Sequence, residues 1–120
     1  MIAVVDDEES VRKALVRLLR AWDLDVEAFA SGQAFLNSLA IRQPDCLVLD
    51  LHMVGLTGRD VQRHIAAAKL AFPVIIMTAH DEPLLREQCM ADGATAYLRK
   101  PLVGDALLGS IRSAVGYPPA

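Results

Sequence analysis

Hydrophobic residues fall along this chain in two alternating rhythms: short unbroken runs, and stripes with helical spacing. Ile2-Ala3-Val4-Val5, Cys46-Leu47-Val48-Leu49 and Val74-Ile75-Ile76-Met77 are runs with no polar alternation, as expected of strands buried on both faces. Val26 to Phe29 and Ala96 to Arg99 are weaker runs that predict two further short strands. Between them, Val11, Leu15, Leu18, Leu19 and Trp22 form a stripe that predicts a helix over residues 10–21. Ser31 is placed to cap a helix carrying Phe35, Leu36 and Leu39, and Pro44 bars any helix from reaching the next strand. Val61, Ile65 and Ala68 line a third helix that ends before Pro73. Asp81 with Glu82-Pro83 opens a fourth, with Leu84, Leu85 and Met90 expected to face inward and Asp92-Gly93 to end it. A final helix is expected over residues 103–115, carrying Leu107, Leu108 and Ile111.

Five strands alternating strictly with five helices predict an α/β fold with a parallel sheet. Right-handed crossovers leave few ways of winding it. At 120 residues there is room for one core. We therefore expect a single domain over residues 1–115, with residues 116–120 (Gly-Tyr-Pro-Pro-Ala) as a tail or the start of a linker. A hydrophobic fraction of 53% and mean hydropathy of +0.31 suit a sheet covered on both faces.

No apolar run approaches the roughly 20 residues that span a bilayer. A strand beginning at Ile2 leaves no space for a signal peptide, so the expected location is cytoplasmic, with no membrane contact. A net charge of −3 argues against direct nucleic-acid binding. Arg12, Lys13, Arg17 and Arg20 spread along a helix flank that is expected to be solvated. Cys46 and Cys89 have no paired spacing and are expected to be buried thiols.

The chemistry collects where strands end. Asp6 and Asp7 follow the first strand, Asp50 the third, Thr78 the fourth, and Lys100 closes the fifth just before Pro101. In an open parallel sheet these carboxyl ends share one edge, where ligands bind. Carboxylates crowded there repel one another unless a cation neutralises them, and hard oxygen ligands of this kind suit Mg²⁺. A strand-end carboxylate can also attack a phosphoryl group if the charge that enters is shielded. Lys100 supplies a point charge and Thr78 a hydroxyl for phosphoryl oxygens. Pro101 marks the end of its strand, and its preceding peptide is free to be cis or trans. Glu8 and Glu9 suit the start of the next helix through its dipole.

These pieces, in this order, resemble the receiver domain of two-component response regulators. The matching segments are V-V-D-D-E at 4–8, L-V-L-D-L-H-M at 47–53, M-T-A-H at 77–80, D-G-A at 92–94 and Y-L-R-K-P at 97–101. The resemblance implies a flavodoxin-like (CheY-like) sheet of order 2-1-3-4-5 with helices on two faces. It implies Asp50 as phosphoacceptor, Asp7 and Asp50 as Mg²⁺ ligands with the His52 carbonyl, and Asp6 holding the metal through water. It further implies Thr78 and Lys100 on the phosphoryl oxygens, a cis Lys100-Pro101 bond, and Tyr97 as a ring that turns inward when Thr78 moves to the phosphate. The implied partners are a sensor histidine kinase and a second copy, joined on phosphorylation through the fourth helix, fifth strand and fifth helix. The output would be transcription, as in FixJ-type regulators.

Two departures from the family matter. Val54 stands where Pro is usual, so the loop after Asp50 is expected to be less rigid, and Pro restored there to be stabilising where the local φ is compatible and no amide bond is lost. His52 and His80 flank the site and read as exposed loop histidines at positions that tune phosphoryl lifetime in the family. His64 reads as a surface residue. The competing reading is a Mg²⁺-dependent phosphatase of the haloacid-dehalogenase type. It would place its nucleophile in an Asp-x-Asp after the first strand, where this chain has adjacent Asp6-Asp7.

Overall fold

The computed structural model describes residues 1–102 and 104–116. Its elements are β1 (Ile2–Val5), α1 (Glu9–Ala21), β2 (Val26–Phe29), α2 (Gly32–Ser38), β3 (Cys46–Asp50), α3 (Gly58–Ala67), β4 (Val74–Thr78), α4 (Pro83–Ala91), β5 (Ala96–Arg99) and α5 (Gly104–Val115). All strand pairs are parallel and the order is β2-β1-β3-β4-β5. The expected first residue of the last helix, Val103, and the expected tail at 117–120 lie outside the described residues.

Alternation along each strand divides the core in two. Ile2, Val4, Cys46, Val48, Ile75 and Met77 meet Leu15 and Leu19 of α1 and Leu107 and Ile111 of α5. Ala3, Val5, Leu47, Leu49, Val74 and Ile76 meet Phe35 of α2, Val61 and Ile65 of α3 and Cys89 of α4. Hence β1, β3 and β4 are buried at every position, which is why they carry no polar alternation.

The start of α2 is capped as expected, the Ser31 hydroxyl accepting from the Ala34 N–H at 3.1 Å. A reciprocal cap opens α3: Thr57 Oγ1 accepts from the Asp60 N–H at 3.2 Å, and the Asp60 carboxylate accepts from the Thr57 N–H at 2.9 Å. That places the first turn of α3 directly on the end of β3. A Cβ at Gly58 would lie 2.6 Å from the Asp50 carbonyl oxygen and 2.8 Å from Leu51 Cα. Glycine is required there for space, so that α3 can start close to Asp50.

The expected inward face of α4 needs correction. Leu84 and Met90 are exposed, while Leu85 is half-buried and Cys89 fully buried. Leu85 and Cys89 are four residues apart and share the face that meets the sheet; Leu84 and Met90 fall to either side of it. Burial, with the Asp45 charge behind it, pushes the Cys46 thiol up to about 12, as an inert structural cysteine requires. Among the described residues no helix is long and apolar enough to cross a membrane.

Candidate functional site

Strand register assembles the site before any side chain is considered. β1 and β3 run in step, Val4 beside Val48 and Val5 beside Leu49, so the next residues along, Asp6 and Asp50, emerge side by side. Asp6, Asp50 and Lys100 each continue the alternation that faces α1 and α5, which follows from Val4, Val48 and Leu98 packing there. Thr78 and Tyr97 belong to the opposite alternation, with Ile76 beside Tyr97 in the ladder. The charged cluster and the hydroxyl–tyrosine pair thus leave the same sheet edge on two different faces.

Asp6 is fully buried, and both of its carboxylate oxygens are engaged by the chain. Oδ1 accepts from the Glu8 N–H at 2.9 Å, and Oδ2 accepts from Lys100 Nζ at 2.7 Å. Lys100 Nζ also lies 3.3 Å from Asp50 Oδ1. Asp7 is partly exposed and turns back over the site. Ligand oxygens of Asp6, Asp7 and Asp50 lie within 4.8 Å of one another. Three hard oxygen donors so close, on a site open to solvent on one side, fit Mg²⁺, which takes one or two carboxylates and keeps several waters. With its oxygens already bonded, Asp6 is suited to act through water, while Asp7 and Asp50 have oxygens to offer directly.

Burial, with the Asp6 charge added to it, pushes the Asp50 pKa above its ordinary value; Lys100 and a backbone bond from His52 pull the other way without winning. Burial works against the charged form of Lys100, but the bond to Asp6 and the Asp50 charge outweigh it and hold the pKa above the usual lysine value. The site therefore concentrates negative charge around one ammonium, and a divalent cation would relieve the excess.

Thr78 is fully buried, and its hydroxyl is turned to the β4–α4 loop. It donates to the His80 carbonyl at 3.0 Å and accepts the His80 N–H at 3.1 Å. The Tyr97 ring is inside, with Arg86 over it at 5.7 Å, while the Thr78 hydroxyl faces the loop. Core packing and the cation over its face hold the ring in. Its hydroxyl is closed off from solvent, and its contact with the Glu82 backbone falls short of a hydrogen bond. Burial, reinforced by the Asp81 charge, raises the Tyr97 pKa.

The Lys100–Pro101 peptide is cis. His52 and His80 are both exposed, with ring centroids 6.0 Å apart at the mouth of the site, and His64 is exposed on α3. Arg12 is not simply solvated: its Nη1 donates to the Asp6 carbonyl at 2.9 Å, whereas Lys13, Arg17 and Arg20 are exposed.

Three contributors escape the hydrophobic pattern. Gly58 matters only through its approach to Asp50. Arg59 bridges α3 to α4, donating to Gln88 Oε1 at 3.0 Å and pairing with Asp92 Oδ2 at 2.9 Å. The Val54 N–H donates to Asp7 Oδ2 at 3.0 Å. Only the last left a signal in the sequence: a residue with an N–H at a position where the family usually has proline.

Comparison with known proteins now bears on this site. Residues 2–112 match the family model described as the response regulator receiver domain. The chain belongs to that family. Its relatives include the response regulator protein TmoT of Ectopseudomonas mendocina, 35% identical over 99% of this chain and 54% of that protein. The transcriptional regulatory protein FixJ of Bradyrhizobium diazoefficiens is 36% identical over 95% of the chain and 56% of its own length. A receiver protein from Burkholderia phymatum superposes with a TM-score of 0.86 at 40% identity, covering 98% of this chain and 95% of that one. The receiver spans about half the length of the curated relatives it matches. Family membership leaves the haloacid-dehalogenase reading without support, and the strand order is that of the receiver fold.

Proposed function

We propose that this receiver accepts a phosphoryl group on Asp50 from the phosphohistidine of a sensor histidine kinase. The observation that carries the reading is the cluster itself: Asp6, Asp7 and Asp50 within 4.8 Å, with Lys100 Nζ at 2.7 Å from Asp6 and 3.3 Å from Asp50. An Asp50 carboxylate oxygen attacks phosphorus, the bond to the histidine nitrogen breaks, and the imidazole leaves with the electron pair. Asp7, Asp50 and the His52 carbonyl would hold Mg²⁺, with Asp6 behind it through water. The metal, when bound, shields the charge of the entering phosphoryl group. Lys100 gives up part of its bonding to Asp6 and holds one phosphoryl oxygen; Thr78 leaves the His80 backbone to donate to another.

The release of His80 by Thr78 is the step that reaches the surface. The β4–α4 loop loses two hydrogen bonds, and the face made by α4, β5 and α5 changes, with Tyr97 and Arg86 at its centre. We infer that a phosphorylation-dependent homodimer forms on this face and controls a transcriptional output in the cytoplasm. The receiver itself makes no direct contact with nucleic acid or membrane.

Acetyl phosphate with Mg²⁺ should add one phosphoryl group to the wild-type protein, read by intact mass, labile to hydroxylamine and absent when EDTA replaces Mg²⁺. Equal uptake by Asp50→Ala would overturn the assignment.

A further inference from the structure

The loop from Leu51 to Thr57 carries Asp50 into α3, and it is anchored unevenly. Leu51 and Met53 are buried, and the Gly58 N–H closes on the Leu51 carbonyl at 3.0 Å. Between these anchors Val54 is 86% exposed, so its side chain fastens nothing. Its backbone does: the N–H donates to Asp7 Oδ2 at 3.0 Å, across 47 residues of sequence. A hydrogen bond to an ionised carboxylate is of the stronger kind, and it fixes the plane of the group that accepts it. Asp7 is the most exposed of the three clustered carboxylates and has the most freedom to turn away from the others. Proline at this position has no N–H and could not make the bond.

We propose that the Val54 backbone N–H is the positioning group for Asp7, holding one carboxylate oxygen so that the other faces Asp6 and Asp50 ready for a divalent cation. This rests on the Mg²⁺ reading of the site given above. Partners that orient a metal ligand without touching the metal often contribute as much to affinity as a weak ligand does. The expected rigidity of the loop is also revised: what proline would supply through its ring, this chain supplies through a bond to the metal site. Proline at 54, expected to stabilise only if it cost no amide bond, should here unfasten the loop.

The test compares Val54→Ala, which keeps the N–H, with Val54→Pro, which removes it. Mg²⁺ binding is followed by calorimetry on unphosphorylated protein. Val54→Ala should bind as wild type does, and Val54→Pro more weakly by roughly 10- to 100-fold. Amide exchange in EDTA gives a second readout that needs no variant at 54. The Val54 amide should be protected in wild type and exchange freely in Asp7→Ala. Wild-type affinity in Val54→Pro, or equal exchange of that amide with and without the Asp7 carboxylate, overturns the proposal. If wild type binds no Mg²⁺, the metal reading falls and takes this inference with it; if wild type and Val54→Pro bind alike, only this inference falls.

Discussion

At the scale of single residues, the site is a balance of charges that the fold tolerates for the sake of chemistry. Asp50 lies in a nearly closed position beside Asp6, and Lys100 cannot compensate both. Burial first, and Asp6 second, raise the Asp50 pKa above its ordinary value of 3.8. A raised carboxyl pKa means that the folded chain holds the proton more tightly than the unfolded chain. Stability therefore falls as pH rises from 3.8 through the higher folded value. Asparagine keeps the shape and removes the charge. In EDTA at pH 7, Asp50→Asn should melt at a higher temperature than wild type, and the gap should close as pH is lowered below 3.8. Thermal melts across that range decide it; a variant less stable than wild type at neutral pH would mean that Lys100 more than compensates Asp50.

The elements owe their placement to local devices at their ends. The Thr57–Asp60 cap starts α3, and Gly58 inside it lets the helix lie against the Asp50 backbone. Backbone and side-chain bonds from Thr57 lower the Asp60 pKa. Its contribution to stability is thus present above the ordinary carboxyl value of 3.8 and lost as pH falls through the lower folded value. Thr57→Ala should cost about 1 kcal/mol of stability, as loss of a helix cap generally does. It should also move the Asp60 pKa part of the way back toward 3.8, because the Thr57 N–H remains. Denaturant melts read the first effect and carboxyl titration by NMR the second; an unchanged Asp60 titration would mean that the hydroxyl bond is not maintained in solution.

Across the whole molecule, two faces of one sheet would carry the two halves of the proposed switch. Asp6, Asp50 and Lys100 continue the alternation facing α1 and α5; Thr78 and Tyr97 continue the one facing α4. On the proposed reading, a phosphoryl group at Asp50 would reach the second face through Thr78, whose hydroxyl fastens the β4–α4 loop at His80. Moving such an equilibrium from mostly off to mostly on takes roughly 5.5 kcal/mol of differential interaction. New charge-assisted bonds from Thr78 and Lys100 to the phosphoryl oxygens are the natural source. Thr78→Ala should therefore still take up phosphate at Asp50 but fail to assemble when activated with beryllofluoride. Sedimentation velocity distinguishes the outcomes, and assembly equal to wild type would place the coupling elsewhere. The next place to look is then Tyr97, with the Arg86 guanidinium over its ring.

What the sequence determined by itself is what depends on neighbours in the chain. Strands buried on both faces announced themselves as unbroken apolar runs, and β1 and β5 begin and end where their runs do. Chemical residues at the ends of those runs had to share one edge once the sheet was parallel. The apolar residues of α4 are too many for its one buried stripe: Leu84, Leu85, Cys89 and Met90 cannot all meet the sheet, and packing selects Leu85 and Cys89. Tertiary structure alone decided what joins distant loops. Register set Asp6 beside Asp50. A bond across 94 residues placed Lys100 on Asp6, and one across 47 turned an unremarkable backbone N–H at Val54 toward Asp7. Periodicity records which face of an element is apolar; it carries no record of which backbone donor a folded loop will bring to a carboxylate, because every residue but proline has the same N–H.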